Sequence, residues 1–304
     1  MVDPRPSASP PRVSIGMPVY NDGPFVARAI AAVLAQDYTD FELFISDNAS
    51  TDGTSEICGS LEQSDNRIRY VRHEHNRGAV WNFRHVYECC HGEYFMWAGG
   101  HDVLLPALVS SCVRVLDEQP EVVLAYPDMR QIDCDDASIA GAVSDNIDTR
   151  GESLSQRTRK IIRELYSCHM IYGLFRKAAL DRCRHGIICR GPDHVLLMEL
   201  SLLGAIARVP QVLLELRENR GQKDRKLSYE DYIRGQLMRL DPNAFSDGKV
   251  RPHWRWALEH LKGVLHADIT VLDRVALLPV VARTFWQRWK IYLKREIFAP
   301  LTAS

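Results

Sequence analysis

The first half of the chain alternates short apolar runs with segments of helical periodicity. The apolar runs have the length of buried strands and occupy residues 13–19, 41–46, 67–72, 94–98 and 122–127. Apolar positions at helical spacing, with capping residues before them, predict helices at 24–36, 53–62, 80–90 and 105–117. Strands that alternate with helices at this spacing predict an α/β fold with a largely parallel sheet.

The second half predicts fewer strands and more helices. Helices are expected at 155–166, 193–203, 227–240 and 253–266, a strand at 170–175, and a strand pair or ribbon at 205–216. Residues 133–151 are polar, acidic and without clear periodicity, which is typical of a loop and suits a lid or an acceptor loop. We therefore expect a flexible leader at 1–11, an α/β domain at 12–220 and a helical C-terminal extension at 221–304.

Polar clusters follow three of the predicted strands. Tyr20-Asn21 follows the first strand, residues 47–54 follow the second, and Gly99-Gly100-His101-Asp102 follows the fourth. In open α/β sheets the loops beyond the carboxyl ends of the strands meet in one crevice, which is where ligands bind. The pattern therefore predicts one site, of the kind that holds a nucleotide.

These clusters resemble those of the family 2 glycosyltransferases. The resemblance rests on Pro18-Val-Tyr-Asn21, on Asp47-Asn-Ala-Ser-Thr-Asp-Gly-Thr54 and on Asp102 in this order, and it covers about residues 12–216. It implies the GT-A fold, a Rossmann-like, mostly parallel sheet flanked by helices, and inverting hexosyl transfer from a nucleotide-diphosphate sugar to an acceptor hydroxyl. UDP is the expected donor nucleotide, with GDP and dTDP as alternatives. The residues matching the family's nucleotide contacts are Pro18, Tyr20, Asn21, Asp47, Asn48, Arg77 and Asp102.

Two of these residues have simpler explanations. The Asp47 carboxylate can accept hydrogen bonds from a nucleobase or a ribose, but residues 47–52 can also cap the following helix. Arg77 can pair with phosphate or stack near the base, or it can be a solvated loop arginine.

The family's metal motif is altered in this chain. Where the family carries Asp-x-Asp, the sequence reads Gly100-His101-Asp102. The resemblance implies that Asp102 is the main protein ligand of Mn²⁺ or Mg²⁺, with diphosphate oxygens and water completing the shell. His101 could assist Mn²⁺, and Asp102 could instead cap the next helix. Because this acid is missing, an alternative hypothesis is that the protein binds a nucleotide sugar but is catalytically degenerate.

The candidate catalytic base is Asp193. Inversion needs a base that deprotonates the acceptor hydroxyl opposite the leaving nucleotide, and the family places two acids at the start of a helix here. In this chain Pro192 stands at the first position and Asp193 at the second. An N-cap role for Asp193 and a base role for His194 stay open. The Gln-x-x-Arg-Trp motif of processive synthases is not matched, which favours transfer of a single sugar.

Composition restricts partners and location. With 38 basic and 39 acidic residues the net charge is −1, which argues against a nucleic-acid partner. The eight cysteines show no zinc spacing, so we expect mostly buried, reduced thiols. With no signal-like or membrane-spanning run, we expect a cytoplasmic protein.

The aromatic and basic segment 286–295 has two interpretations. It could touch the inner face of a membrane, or its aromatic side chains could pack on the catalytic domain or in a homodimer. The acceptor is expected to be a saccharide or a lipid-linked glycan, in the synthesis of a polysaccharide, a glycolipid or another glycoconjugate.

Overall fold

The computed structural model describes residues 10–141, 144–218, 235, 237–241 and 251–298. Eight strands form a single sheet. They are β1 (Val13–Val19), β2 (Phe41–Asp47), β3 (Ile68–Arg72), β4 (Tyr94–Trp97), β5 (Val103–Leu104), β6 (Val122–Ile132), β7 (Leu174–Arg176) and β8 (Ala205–Arg217). Their order in the sheet is β3-β2-β1-β4-β7-β6-β8-β5.

Helices connect and cover the strands. They are α1 (Val26–Leu34), α2 (Thr54–Ser64), α3 (Ala79–Glu88), α4 (Leu108–Glu118), α5 (Leu154–Glu164), α6 (Lys177–Leu180), α7 (Pro192–Leu203), α8 (Pro252–His266) and α9 (Val271–Phe298). A 3₁₀ turn at His169–Tyr172 precedes β7. None of the described helices is both long and apolar enough to cross a bilayer.

The sheet is mixed, with a parallel half at the N-terminal side. Strands β3, β2, β1 and β4 pair in parallel, as do β6 and β8, whereas β7 runs antiparallel to both its neighbours and β5 runs antiparallel to β8. The predicted GT-A class, a mostly parallel sheet flanked by helices, is therefore confirmed. The parallel half brings the ends of β1, β2 and β4 to one edge of the sheet.

Two apolar cores lie on opposite faces of the sheet. Successive side chains of a strand point to opposite faces. Tyr94 and Met96 accordingly belong to the core under α1 and α4, while Phe95 and Trp97 belong to the core under α3, α5 and α7. Strand β4 thus contributes side chains to both cores, and Trp97, its last residue, lies on the side covered by α3.

The C-terminal helices continue the second core. Leu277, Val281 and Phe285 of α9 are buried in the same cluster as Trp256 of α8 and the apolar face of α7. Eight free cysteines occur, and five of them are buried, as the sequence indicated. The described part of the extension therefore packs on the α/β domain and shares its second apolar core.

Two predicted elements differ from the structure, and one predicted loop is present but anchored. Residues 170–175 were expected to form a strand, but hydrogen bonds from Ile171 N–H to Cys168 O and from Gly173 N–H to Met170 O close a turn before β7. Residues 205–216 form one long strand, bulged beside β6, instead of a strand pair. In the loop predicted at 133–151, the described part is anchored because Tyr126 Oη donates to Ile147 O at 2.6 Å and accepts from Ile147 N–H at 2.8 Å.

Some predictions fall outside the described residues. These are most of the leader at 1–11, the domain boundary near 220, and the helix at 227–240 apart from residue 235 and residues 237–240, which are helical.

Candidate active site

The loops after β1 and β2 are joined directly. Asn21 N–H donates to Ser50 Oγ at 3.0 Å, and Thr51 N–H donates to Asn21 Oδ1 at 2.8 Å. Asn21 has a left-handed φ of 56°, which asparagine tolerates better than most residues. The predicted residue Asn21 therefore fixes one loop against the other.

Asp47 is fully buried at the end of β2. Its Oδ1 accepts from Ser50 N–H at 2.8 Å, its Oδ2 accepts from Tyr70 Oη at 2.9 Å, and the Arg72 guanidinium lies 3.7 Å away. One carboxylate oxygen thus fixes the loop after β2, and the other is hydrogen-bonded to the neighbouring strand β3. A contact from Asp47 to a nucleobase stays a prediction.

Asn48 ties the second loop to the loop after β3. Its Nδ2 donates to Asn76 Oδ1 at 2.9 Å and to Gly78 O at 3.1 Å, while its Oδ1 accepts from Arg77 N–H at 2.9 Å. The Arg77 guanidinium is exposed and lies 4.6 Å from the centre of the Trp81 ring. Arg77 is thereby held by its backbone while its charge faces solvent.

Pro18 and Tyr20, the remaining candidates near β1, differ in exposure. Pro18 is half-buried within the strand, whereas Tyr20 is 47% exposed in the loop that follows it. An exposed aromatic ring at the end of a strand is available to stack on a planar base.

Asp102 lies buried after β4, where it meets the end of β8. Its Oδ1 accepts from Arg217 N–H at 2.9 Å, and the Arg217 guanidinium donates to His101 O at 2.9 Å. Burial raises the pKa of the Asp102 carboxyl above its ordinary value. His101 Nδ1 lies 2.9 Å from Asp22 Oδ1. Burial lowers the pKa of His101, but this hydrogen bond and the charge of Asp102 outweigh it, so the net shift is upward.

The glycines of this loop explain the altered metal motif. A Cβ at Gly100 would lie 2.7 Å from Asp22 Oδ2 and 2.8 Å from Val19 Cγ1, so an acid does not fit there in this arrangement. A Cβ at Gly99 would overlap Oδ2 of Asp102. The Asp22 and Asp102 carboxylates thus occupy the positions that side chains at residues 100 and 99 would take, so this arrangement requires glycine at both.

The protein atoms at this loop suit a cation that is held mainly by the phosphates of a bound nucleotide. In the described part of the chain, no three His, Cys, Asp or Glu side chains form a metal cluster. Asp102 Oδ2 accepts no hydrogen bond from the described residues and packs closely against Gly99, so it is the oxygen of this carboxylate that remains for a cation. One carboxylate oxygen plus phosphate oxygens is an arrangement that Mg²⁺ and Mn²⁺ accept.

Asp193 lines a cavity of about 530 Å³ between α3, β4, the 3₁₀ turn and α7. Its walls include the rings of Phe83, Trp97, Tyr166 and Tyr172. The Asp193 carboxylate is exposed to this cavity and accepts no hydrogen bond from the described residues. Protein nevertheless surrounds it, and burial raises its pKa to about 6.

Tyr172 connects the cavity with the loop that carries Asp102. Burial is the main cause that raises the pKa of its hydroxyl, and the charges of Asp102, Asp193 and Asp22 raise it further. These carboxylates therefore lie within electrostatic reach of one side chain. Ala79 and Val80, which follow the Arg77 loop, line the same cavity. The structure thus brings Asp193 to the edge of the sheet where the other predicted loops converge.

The C-terminal helices hold the loop before Asp193. Arg190 Nη1 lies 2.5 Å from His253 Nε2, and its guanidinium lies 5.6 to 5.8 Å from the centres of three aromatic rings. These rings belong to Trp256, Trp289 and Tyr292. A Cβ at Gly191 would lie 2.9 Å from Trp256, so the backbone itself is pressed against α8. We name Arg190 and these three rings the arginine cage.

His194, the alternative base, borders the cavity, but its side chain is buried and is hydrogen-bonded toward α8. The Trp256 carbonyl can only accept, so His260 Nδ1 donates to it at 2.8 Å and His260 Nε2 accepts from His194 Nδ1 at 2.8 Å. Burial lowers the pKa of His260 to about 4 and that of His194 well below its ordinary value. His194 is therefore a neutral structural residue that links α7 to α8.

Sequence reasoning missed several residues of this site. Asp22 reads in the sequence as a cap of the first helix, and Arg217, at the end of the last strand, belongs to no motif there. The aromatic residues that line the cavity form no sequence motif, because they come together only when the 3₁₀ turn packs against α3.

Sequence comparison decides the family. The family model described as Glycosyl transferase family 2 matches residues 14–182, more than half of the chain. The chain belongs to this family. As a family 2 glycosyltransferase, it shares 26% identity over 107 residues with the glycosyltransferase GlyG of Streptococcus pneumoniae serotype 4. That alignment covers 35% of this chain and 36% of GlyG.

Solved structures support the fold. The chain is similar to S. aureus TarS 1–349 in complex with UDP-GlcNAc, with a TM-score of 0.57 and 14% identity over 93% of this chain and 91% of that one. It is also similar to the mannosyltransferase PcManGT of Pyrobaculum calidifontis in complex with GDP-Man and Mn²⁺. There the TM-score is 0.53, with 16% identity over 95% and 87% of the two chains. At these identities the likeness of this glycosyltransferase to the two structures establishes the GT-A fold.

Proposed function

We propose that this glycosyltransferase moves a single sugar from a nucleotide-diphosphate sugar to an acceptor hydroxyl with inversion, and that Asp193 is the base. The observation that carries the proposal is the Asp193 carboxylate in an aromatic-lined cavity, where none of the described residues pairs with it and its pKa is raised to about 6. A base works best when its pKa lies near the working pH. Aromatic walls suit the apolar faces of a sugar ring.

The reaction needs one displacement. Asp193 takes the proton of the acceptor hydroxyl as that oxygen bonds to the anomeric carbon, and the bond from this carbon to the nucleoside diphosphate breaks on the opposite face. Tyr20, Asn48 and Arg77 would shape the nucleotide site together with Pro18, Asn21 and Asp47. Asp102 would hold Mn²⁺ or Mg²⁺, which offsets charge on the leaving diphosphate. The donors UDP-GlcNAc and GDP-Man bound by the two solved relatives support a nucleotide sugar.

The first experiment identifies the donor. Thermal unfolding is measured with UDP, GDP and dTDP, each with and without Mn²⁺, because a ligand at 100 times its Kd stabilises by about 2.7 kcal/mol. We expect metal-dependent stabilisation by UDP. No stabilisation by any nucleotide would contradict a nucleotide-sugar site.

The second experiment tests Asp193. With the donor so identified, Asp193→Asn should abolish sugar transfer while the nucleotide still raises the unfolding temperature. Asp268→Asn is the matched control, because Asp268 is 83% exposed and pairs with Arg182 at the surface. Turnover retained in Asp193→Asn would remove it as the base, and donor binding without any product from the unaltered chain would favour a degenerate binding protein. A homodimer and a cytoplasmic location stay predictions.

A further inference from the structure

Exposed apolar side chains concentrate on the C-terminal helices. Of the thirteen large apolar side chains exposed in the described part of the chain, nine lie between residues 258 and 297. Such a concentration marks a surface that meets another apolar phase or partner. The rest of the described surface carries only scattered examples, which need no special explanation.

Five of the exposed residues of α9 fall on one face. Leu272, Val275, Pro279, Ala282 and Trp286 follow steps of three and four, which places them along one side of a helix. Leu272 is 83% exposed and Val275 65% exposed. We name these five residues the outer stripe. The opposite side of α9 is buried in the core, so the outer stripe is the solvent face of the helix.

Basic side chains continue the same face. Lys290 and Lys294 follow Trp286 in steps of four, and Arg283 borders the stripe. Among the described residues, these three have no ion-pair partner and are exposed. The acids of α9 are turned elsewhere, because Asp273 accepts from Thr270 Oγ1 at 2.7 Å and Glu296 contacts His253 on the inner side.

We infer that the outer stripe and its three basic residues dock on an anionic lipid surface. An apolar stripe flanked by unpaired positive charges complements acyl chains beneath negatively charged headgroups. A second copy of the chain would offer the same apolar face but also the same positive charges. Charge complementarity therefore favours the lipid. The inner side of these turns carries Arg288, which donates to Leu165 O at 2.5 Å, next to the cavity residue Tyr166. The helix that carries the docking surface therefore contacts, on its inner side, the chain next to the cavity wall.

Vesicle flotation tests the inference, and it needs neither donor nor turnover, so its outcome is independent of the proposed reaction. The full chain should float with vesicles of phosphatidylcholine and phosphatidylglycerol, but not with phosphatidylcholine alone, and high salt should release it. Each basic residue near the surface is worth about fivefold in binding, so the triple variant R283Q/K290Q/K294Q should bind roughly 100-fold more weakly. Trp286→Ala should also weaken binding.

Arg114→Gln is the matched control, because Arg114 is exposed on α4, which covers the opposite face of the sheet. It should bind vesicles like the unaltered chain. No flotation, or equal loss in the triple variant and in Arg114→Gln, would overturn the inference. A concentration-dependent dimer that Trp286→Ala dissociates, without vesicle binding, would overturn it in favour of a second copy.

Discussion

Placing the first acid of the family's metal motif at residue 100 should destabilise the fold of this protein. In Gly100→Asp the new Cβ would lie 2.7 Å from Asp22 Oδ2 and 2.8 Å from Val19 Cγ1, closer than unbonded atoms approach. Asp22 cannot yield freely, because its Oδ1 lies 2.9 Å from His101 Nδ1 and its Oδ2 accepts from Tyr20 N–H at 3.2 Å. The added carboxylate would also repel that of Asp22.

The magnitude follows from these contacts. Overpacking costs about 1–3 kcal/mol, and breaking one hydrogen bond to a charged group costs roughly 1.5–3 kcal/mol. We expect Gly100→Asp to lower the free energy of unfolding by about 3 kcal/mol or more. For a chain of this length that corresponds to a fall of roughly 5 °C in unfolding temperature. Gly100→Ala isolates the steric part and should lose about 1–3 kcal/mol.

Thermal unfolding followed by circular dichroism measures both variants. The matched control is Gly59→Ala, since Gly59 lies within α2 and a Cβ there would meet nothing within 4 Å. That substitution should stabilise by about 0.5–1 kcal/mol. If Gly100→Asp unfolds at or above the temperature of the unaltered chain, or binds Mn²⁺ with UDP more tightly, the steric reasoning is wrong.

Three further predictions concern the proposed base, the proposed metal ligand and the packing of the C-terminal helices. Because Asp193 must be ionised to accept a proton and has a pKa of about 6, kcat/KM should fall about tenfold from pH 7 to pH 5; a flat profile would contradict this shift. Asp102→Asn keeps an acceptor for Arg217 N–H and should fold normally, but should lose the Mn²⁺-dependent part of nucleotide stabilisation in thermal unfolding. Arg288→Met leaves carbonyls of α5 unpaired and should lower the unfolding free energy by about 2–4 kcal/mol in denaturant titration, whereas Lys290→Met should change it by less than about 0.5 kcal/mol.

The elements near the strand ends could be predicted because they follow local rules. Buried runs such as β1 and β2 have strand length, and polar residues after them identify the loops that meet at the sheet edge. The helix that begins at Pro192 was predictable for a similar reason, since a proline in the first turn is a recognisable helix start, whereas the base role of Asp193 followed from the family resemblance and stays a prediction. Residues 170–175 were mistaken for a strand because an apolar run does not reveal the 3₁₀ turn that hydrogen bonds create in it.

Other features depend on tertiary packing that no local pattern encodes. The need for Gly100 arises from the position of Asp22, a residue 78 positions earlier in the chain. The aromatic and basic segment of α9 offered two interpretations, packing on the domain or an exposed contact surface. The helix has a side of each kind: Trp289 packs in the arginine cage, while Trp286 faces outward. Sequence periodicity could not assign the two faces before the inner partners were known.

The arginine cage has a consequence for how such proteins can be recombined. Because α8 and α9 hold the loop that ends in Asp193, a chimera that exchanges the C-terminal helices between relatives also exchanges the support of this proposed base. A cut near residue 220 would separate two parts of one catalytic unit instead of detaching an appendage. Sequence changes in this extension, in the laboratory or in nature, should therefore shift the Asp193 carboxylate as well as alter the surface that the extension presents.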